Sequence, residues 1–323
     1  MKILAIGATG FVGSQVTRQL IAQGHQVALF HRGNTTTSDL DSIVHFYGTR
    51  NQLPNFKAQF EQFAPDVVLD VIPFTKAQTQ DIVQVFGGFA QRIVAISSGD
   101  VYRNYEGLQG HGNHPPDPVP LAEDAPLRET RYPYRDLEGL DFEFKQDYDK
   151  ILVEQVLMQH PDLRCTILRL PAVYGAGDRQ HRFLPYLQQM VSQQPILLEE
   201  EQACWRFSHG YVENIAAAIA LAVTNDRAAG RTYNLGEPST PTLLERIQRL
   251  GNWVNWHGEI VTLPKDQLPS HLQMNLQWQY HLAIDTTRFR EELGYVEPIP
   301  EAEALQQAIA WEQENLTTTN TSS

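Results

Sequence analysis

Three glycines in seven residues, Gly7-Ala8-Thr9-Gly10-Phe11-Val12-Gly13, separate an apolar run, Ile3 to Ile6, from a stretch with helical spacing. That arrangement suits the binding of a diphosphate. The first glycine permits a tight reversal out of a strand, the second lets bare backbone approach an anion, and the third lets the following helix pack close to the sheet. Unpaired N–H groups and the positive dipole end of that helix then meet the negative charge. Phe11, Val12, Val16, Leu20 and Ile21 mark one apolar helical face, Gly24 ends the helix, and Gln26 to Phe30 reads as a second strand. Three spaced glycines alone would mark an ordinary turn, but a strand, turn, helix, strand unit makes them a dinucleotide site. Other chemistry-bearing residues are less suited to a site. His111 and His114 have HxxH spacing but lie in a Gly/Pro loop without carboxylates placed for a metal, so they read as solvated and no metal site is expected. Cys165 and Cys204 lack CxxC spacing and read as buried small hydrophobes. No GxSxG elbow supports a serine hydrolase.

The elements that must position such a site follow from runs of apolar residues. Asp66 to Ile72, Arg92 to Ser98 and Arg164 to Val173 are continuously apolar and β-rich, as strands buried on both faces of a parallel sheet should be. Helical segments lie between them, at roughly Asn55 to Phe63, Thr79 to Phe89 and Lys145 to Gln159. Alternating strands and helices predict a doubly wound parallel α/β sheet. From Tyr105 to Asp141 the pattern breaks into Gly, Pro and charge, including Tyr132-Pro133-Tyr134, which predicts a binding loop or lid. The expected organisation is a dinucleotide-binding domain over 1–174, carrying a loop insertion at about 103–144, then a smaller α/β substrate lobe, mainly 175–316, then a disordered tail at 317–323. In the second part, helices are expected at Phe183 to Ser192, Glu213 to Thr224, Thr242 to Gly251, Thr286 to Leu293 and Glu301 to Glu314, with strands near Thr232 to Leu235 and Glu259 to Leu263.

With 323 residues, 42% of them hydrophobic, the chain can bury a sizeable core. Lys and Arg total 25 against 38 Asp and Glu, and the net charge of -13 repels nucleic acid and anionic membranes. A small-molecule substrate is therefore the expected partner. No apolar stretch approaches the ~20 residues that span a bilayer, and the opening apolar run is too short for a signal peptide, so a cytoplasmic location is expected.

Further motifs follow the glycine turn in order: Ser97-Ser98-Gly99-Asp100-Val101-Tyr102 at a strand end, Lys150 with Glu154 four residues on, Pro171-Ala172-Val173-Tyr174-Gly175-Ala176-Gly177-Asp178, and Tyr233-Asn234-Leu235-Gly236. Together they resemble the NAD(P)-dependent epimerase/dehydratase family, extended or atypical short-chain dehydrogenases/reductases. The likeness spans Met1 to about Trp311. It implies a Rossmann sheet, a nicotinamide dinucleotide, and oxidoreductase, epimerase or dehydratase chemistry on a small hydroxy or carbonyl substrate, sugar nucleotides included. Non-catalytic cofactor-binding regulators, and RNA-associated relatives such as chloroplast stem-loop-binding proteins, are the other functions it leaves open.

The resemblance also implies a catalytic serine, here Ser98, and a Tyr and Lys spaced YxxxK so that the ammonium favours a phenolate. This chain departs from that spacing. Gln146 stands four positions before Lys150, and the nearest tyrosine, Tyr148, stands two before it. On an ideal helix that offset turns the side chains about 200° apart, so Tyr148 can serve only if the helix begins after it or is irregular there. Tyr134 is the alternative, folding back through the insertion. Asp100 stands where family dehydratases place a carboxylate acting on the carbon skeleton, although Gly99 replaces its acidic neighbour. The candidate catalytic residues are thus Ser98, Tyr148, Lys150 and Asp100. Those for the cofactor are Gly7, Thr9, Gly10, Phe11, Val12, Gly13, His31, Arg32 and Lys150. NAD-selective relatives carry an acid at the end of the second strand; His31-Arg32-Gly33 has none, and Arg32 favours NADP(H) over NAD(H). Arg206, in Trp205-Arg206-Phe207, stands one residue out of register with the family arginine that grips a sugar-nucleotide phosphate. A homodimer through two long helices, one of them Lys145 to Gln159, is a further expectation from the resemblance.

Overall fold

The computed structural model describes residues 1–35, 40, 42–137, 139, 142–161 and 163–319, with side chains to 315. In chain order the first part contains β1 (Lys2–Ile6), α1 (Phe11–Ala22), β2 (Gln26–His31), β3 (Val44–Tyr47), α2 (Lys57–Phe63), β4 (Val67–Asp70), α3 (Lys76–Phe86), β5 (Arg92–Ser98), α4 (Arg103–Leu108), α5 (Lys150–Met158) and β6 (Arg164–Leu170). The second contains β7 (Ala172–Tyr174), α6 (Leu184–Val191), β8 (Ile196–Glu199), α7 (Glu200–Cys204), β9 (His209–Tyr211), α8 (Val212–Thr224), β10 (Thr232–Asn234), α9 (Leu243–Trp253), β11 (Ile260–Leu263), α10 (Thr287–Leu293) and α11 (Glu301–Thr319).

Seven parallel strands form the main sheet in the order β10-β6-β5-β4-β1-β2-β3. This is the doubly wound Rossmann architecture expected of the sequence. Continuous apolarity in the strands has a direct cause, since alternate residues enter two cores. Ile3, Ala5, Leu29, Leu69 and Val94 bury against one helical layer, while Leu4, Ile6, Phe30, Val68 and Ile93 bury against Phe60, Phe86 and Leu157 on the other. The chain turns first one way from β1 and then, at β4, the other, which leaves a crevice at the carboxyl ends of these two strands.

Several details differ from expectation. β3 was not expected: none of its four residues is fully buried, so V-H-F-Y shows no core run. Pro171 divides the expected strand Arg164 to Val173 into β6 and β7, because proline gives the ladder no N–H. Within the expected second lobe, β10 joins the main sheet beside β6, and α8 lies beside α1, where Gln19 Nε2 donates to Glu213 O at 2.9 Å. Two small parallel sheets stand beside the main one: β8 with β11, both within the expected lobe, and β9 with β7, which lies at the end of the expected first domain. Cys165 is buried but Cys204, at the end of the short surface helix α7, is exposed, contrary to the sequence reading. α11 runs through Thr319, and residues 320–323 of the expected disordered tail lie outside the described residues, as does Asp141 at the end of the long connection. Among the described residues no helix is long and apolar enough to cross a membrane.

Candidate active site

A cleft of about 500 Å³ opens at the carboxyl ends of β1, β2 and β4 and is closed on the far side by the segment after β6. Gly7, Thr9, Gly10 and Phe11 form one wall. The three glycines do three different jobs. Gly7 has φ +70°, and a Cβ there would meet Ile72 Cγ1 at 2.4 Å. A Cβ on Gly13 would meet the Ala8 Cα at 2.5 Å, so this glycine sets the approach of helix to turn. At Gly10 a Cβ would meet nothing within 4 Å, and no side chain caps α1 there. The first-turn amides are therefore free for an oxyanion, and the space a diphosphate needs is kept clear. Val12 and Gly13 are not in the cleft wall; Val12 packs on the core.

His31 and Arg32 leave β2 into the same cleft. His45 Nε2 lies 2.9 Å from the Leu40 carbonyl and so must donate, which makes its Nδ1 the acceptor for His31 Nε2 at 2.8 Å. His31 Nδ1 in turn accepts from Gly33 N–H at 3.3 Å. The His31 imidazole is neutral, and every nitrogen of the two rings is engaged. Burial, then the neighbouring His45, holds the His31 pKa below its ordinary value. Arg32 Nη1 pairs with Glu143 Oε2 at 2.8 Å, both side chains more than half exposed. Arg50, also in the cleft wall, is buried and grips Asp70 with two bonds of 2.7 and 2.5 Å.

The expected catalytic residues gather at the carboxyl end of β5, outside the cleft wall proper. Tyr148 and Tyr134 both donate to Asp100 Oδ2, at 2.7 and 2.9 Å, so the two alternative tyrosines share one carboxylate oxygen. Asp100 Oδ1 is buried and has no hydrogen-bond partner among the described residues. Ser98 Oγ accepts from Asp100 N at 3.2 Å, and Ser98 partly offsets the upward shift of the Tyr148 hydroxyl. α5 begins at Lys150, after Tyr148, so the helical objection to Tyr148 does not arise: residues 148 and 149 run extended against Phe74 and Thr75. Lys150 Nζ, however, donates to Pro73 O at 3.0 Å and Ile96 O at 2.8 Å, and lies 5.8 Å from the Tyr148 ring centroid. Burial, offset by Asp100, pulls the Lys150 pKa from 10.5 down to about 8. Burial followed by the Asp100 charge pushes the Tyr148 hydroxyl well above its ordinary value, and Tyr134 likewise. Tyr148 is a neutral donor here, not a phenolate.

Sequence reasoning missed the group that holds this cluster. Arg128 and Asp149 are fully buried and paired at 2.9 and 3.2 Å, and Arg128 Nε also donates to the Asp100 carbonyl at 3.0 Å. Asp149 caps α5 by accepting from Ile151 N at 2.9 Å and Leu152 N at 3.3 Å. An aspartate directly before K-I-L-V is a helix-start signal, and it would have placed the boundary. Three residues from the quoted motifs are likewise structural: Glu154 takes the Arg169 guanidinium at 2.8 and 3.0 Å, Arg169 reaches the Tyr102 hydroxyl at 3.0 Å, and that hydroxyl donates to Asn234 Oδ1 at 2.6 Å. This buried network ties α5 and the segment after β5, at Tyr102, to β6 and β10. Arg206 bonds the Thr240 carbonyl at 2.6 Å and is not part of the cleft wall.

Comparison with known proteins agrees with the architecture. The model described as NAD dependent epimerase/dehydratase family matches residues 3–87 and 145–236. The chain is 31% identical over 248 residues to the chloroplast stem-loop binding protein of 41 kDa b from Arabidopsis thaliana, covering 72% of this chain and 58% of that protein. It spans between 52% and 58% of the length of the curated relatives it matches. A short-chain dehydrogenase/reductase superfamily protein from Agrobacterium tumefaciens, solved with bound NAD, superposes with a TM-score of 0.70 at 19% identity over 99% of this chain and 100% of that one. UDP-glucose-4-epimerase from Stenotrophomonas maltophila, with bound NAD and formylated UDP-arabinopyranose, gives 0.68 at 18% identity over 98% and 99%.

Proposed function

The chain belongs to the NAD-dependent epimerase/dehydratase family, and from that premise we propose that it is a nicotinamide dinucleotide-dependent oxidoreductase, of the epimerase/dehydratase or reductase type, acting on a small hydroxy or carbonyl compound. A sugar nucleotide is the substrate class that the bound ligand of the Stenotrophomonas epimerase suggests. The open position at Gly10, the uncapped α1 amides and the cleft volume fit a dinucleotide diphosphate, with Gly7, Thr9 and Phe11 beside it. Arg32, in place of an acid at the end of β2, supports NADP(H) over NAD(H). When bound, the dinucleotide supplies hydride chemistry at the carbon bearing the alcohol.

The observation that carries this reading is the convergence of Ser98, Asp100 and Tyr148 at the end of β5, two strands from the glycine turn. Ser98 holds the substrate oxygen. The substrate hydroxyl gives its proton to Tyr148 Oη while the Tyr148 proton passes to Asp100 Oδ2; reduction runs the same transfer backwards. The carboxylate thus takes the part that an ammonium-stabilised phenolate has in relatives with YxxxK, and Lys150 holds the Pro73 and Ile96 carbonyls. Purified protein incubated with NADP+ or NADPH and a panel of nucleoside diphosphate hexoses is expected to convert at least one, read by mass spectrometry of the sugar. Ser98→Ala should lower that turnover by about a hundredfold and stability by less than about 0.5 kcal/mol.

One observation favours a second reading, a dinucleotide-binding regulator without turnover: none of Ser98, Asp100, Tyr148 or Lys150 lines the cleft, and the Phe74 ring in its wall lies 5.0 Å from the Lys150 ammonium. Tight NADPH binding with no conversion of any panel member would select it. An RNA-associated role, suggested by the Arabidopsis relative's name, is opposed by the net charge of -13, and a salt titration showing no RNA affinity near physiological ionic strength would remove it.

A further inference from the structure

At the β2 end of the cleft, among the described residues, both arginines are already answered by carboxylates. Arg50 is held by Asp70, Arg32 by Glu143, and His31 is neutral with both ring nitrogens occupied. Glu143 does not come from the sheet; it comes from the insertion, 111 residues beyond Arg32. Its position is set by its neighbours. Phe142 packs against Tyr148 and Tyr134, with ring centroids 5.9 and 5.8 Å apart, and Phe144, at φ +72°, packs against Phe74 at 6.2 Å. Glu143 is thus carried between two anchored aromatics, and it and Phe144 both enter the cleft wall.

From this geometry we infer that Glu143 is a specificity-determining residue: it supplies from the insertion the carboxylate that β2 lacks, and it restrains the preference of Arg32 for a 2′-phosphorylated dinucleotide. The inference rests on the dinucleotide reading above. A 2′-phosphate must displace Glu143 from Arg32 and then lie near its charge, whereas an unphosphorylated ribose can donate its hydroxyls to that carboxylate. The pair is exposed, so it is weak enough to be displaced and its loss leaves the fold intact.

Calorimetric titration of the full chain with NADPH and with NADH, at one ionic strength, tests this without an assay of turnover. Glu143→Gln is expected to tighten NADPH about fivefold and to leave NADH within about twofold of wild type or weaker. Arg32→Met should weaken NADPH, and in the Arg32→Met background Glu143→Gln should no longer matter. Equal changes for both dinucleotides, or an effect of Glu143→Gln that survives loss of Arg32, would overturn the inference while leaving the dinucleotide reading intact. If neither dinucleotide binds wild type or any variant, both readings fall together.

Discussion

At the glycine turn one stretch of chain, Gly7 to Phe11, presents its whole wall of the cleft, whereas the Asp100 cluster draws on residues at 98–100, at 134 and at 148–150, brought together across the insertion. The first region is held by backbone geometry, with a positive φ at Gly7 and a close approach at Gly13. Buried charge holds the second, where the fully buried Arg128 and Asp149 join the Asp100 carbonyl to the start of α5. Contiguous residues keep their relation in any fold that forms the turn. Distant ones keep theirs only while the pair between them persists, so the two regions should fail differently.

The largest expected effect is at that pair. Arg128→Ala leaves the fully buried Asp149 carboxylate without its guanidinium partner, and such breaks cost about 3–5 kcal/mol. Urea unfolding should show a loss of that size. A loss below about 1 kcal/mol would mean that the insertion is pinned by other contacts and that the contrast between the regions is false. Next in size is the glycine side of the comparison. Gly13→Ala should cost about 1–3 kcal/mol, because its Cβ meets the Ala8 backbone at 2.5 Å. Gly10→Ala meets nothing within 4 Å, so it should change stability by less than about 1 kcal/mol yet weaken dinucleotide binding roughly tenfold. Equal losses at the two positions would show that packing, not the kept space, decides both.

The same division explains what could be read from the sequence. Gly7, Gly10 and Gly13 act through backbone rules that need only their neighbours, and the strands of the sheet announce themselves by uninterrupted apolarity. β3 and the short strands β8 and β9 bury too little, or are too brief, to give such a signal. Lys145 to Gln159 reads as one helix because no glycine or proline interrupts it, although Asp149 marks the start. Arg128 and Glu143 carry no local signature at all. Their importance lies in partners 21 and 111 residues away, and only folding decides which carboxylate meets which guanidinium.

Lys150 lets the buried region be probed by pH. Its ammonium is buried, with two carbonyl partners, and its pKa falls from 10.5 to about 8. Between those values the unfolded chain keeps the proton and the folded chain releases it, so stability rises with pH through that window. Relative to Lys150→Met, which removes the titration, wild type should gain on the order of 2 kcal/mol between pH 7 and 9.5 in urea unfolding. Above about pH 10 the raised Tyr148 works in the opposite direction, because the unfolded phenol loses its proton first. A flat difference between pH 7 and 9.5 would place the ammonium in solvent and open the cluster.

Smallest in stability, and sharpest for the cluster itself, is the contrast between the two tyrosines that share Asp100 Oδ2. Each contributes one hydrogen bond, at 2.9 Å from Tyr134 and 2.7 Å from Tyr148, and losing either should cost about 1 kcal/mol. Their surroundings differ. Tyr148 is 8% exposed and directly precedes Asp149 and Lys150 at the start of α5, while Tyr134 rests in the insertion with its ring edge against Tyr148, 4.9 Å between centroids. If the proton path runs from substrate through Tyr148 to Asp100, Tyr148→Phe removes the hydroxyl that hands the proton to the carboxylate, and turnover should fall by about a hundredfold or more. Tyr134→Phe leaves that path whole and frees one lone pair on Oδ2, which makes the carboxylate a better acceptor; turnover should stay within about threefold. The reverse ranking would transfer the relay to Tyr134 and make the insertion the source of the reacting phenol.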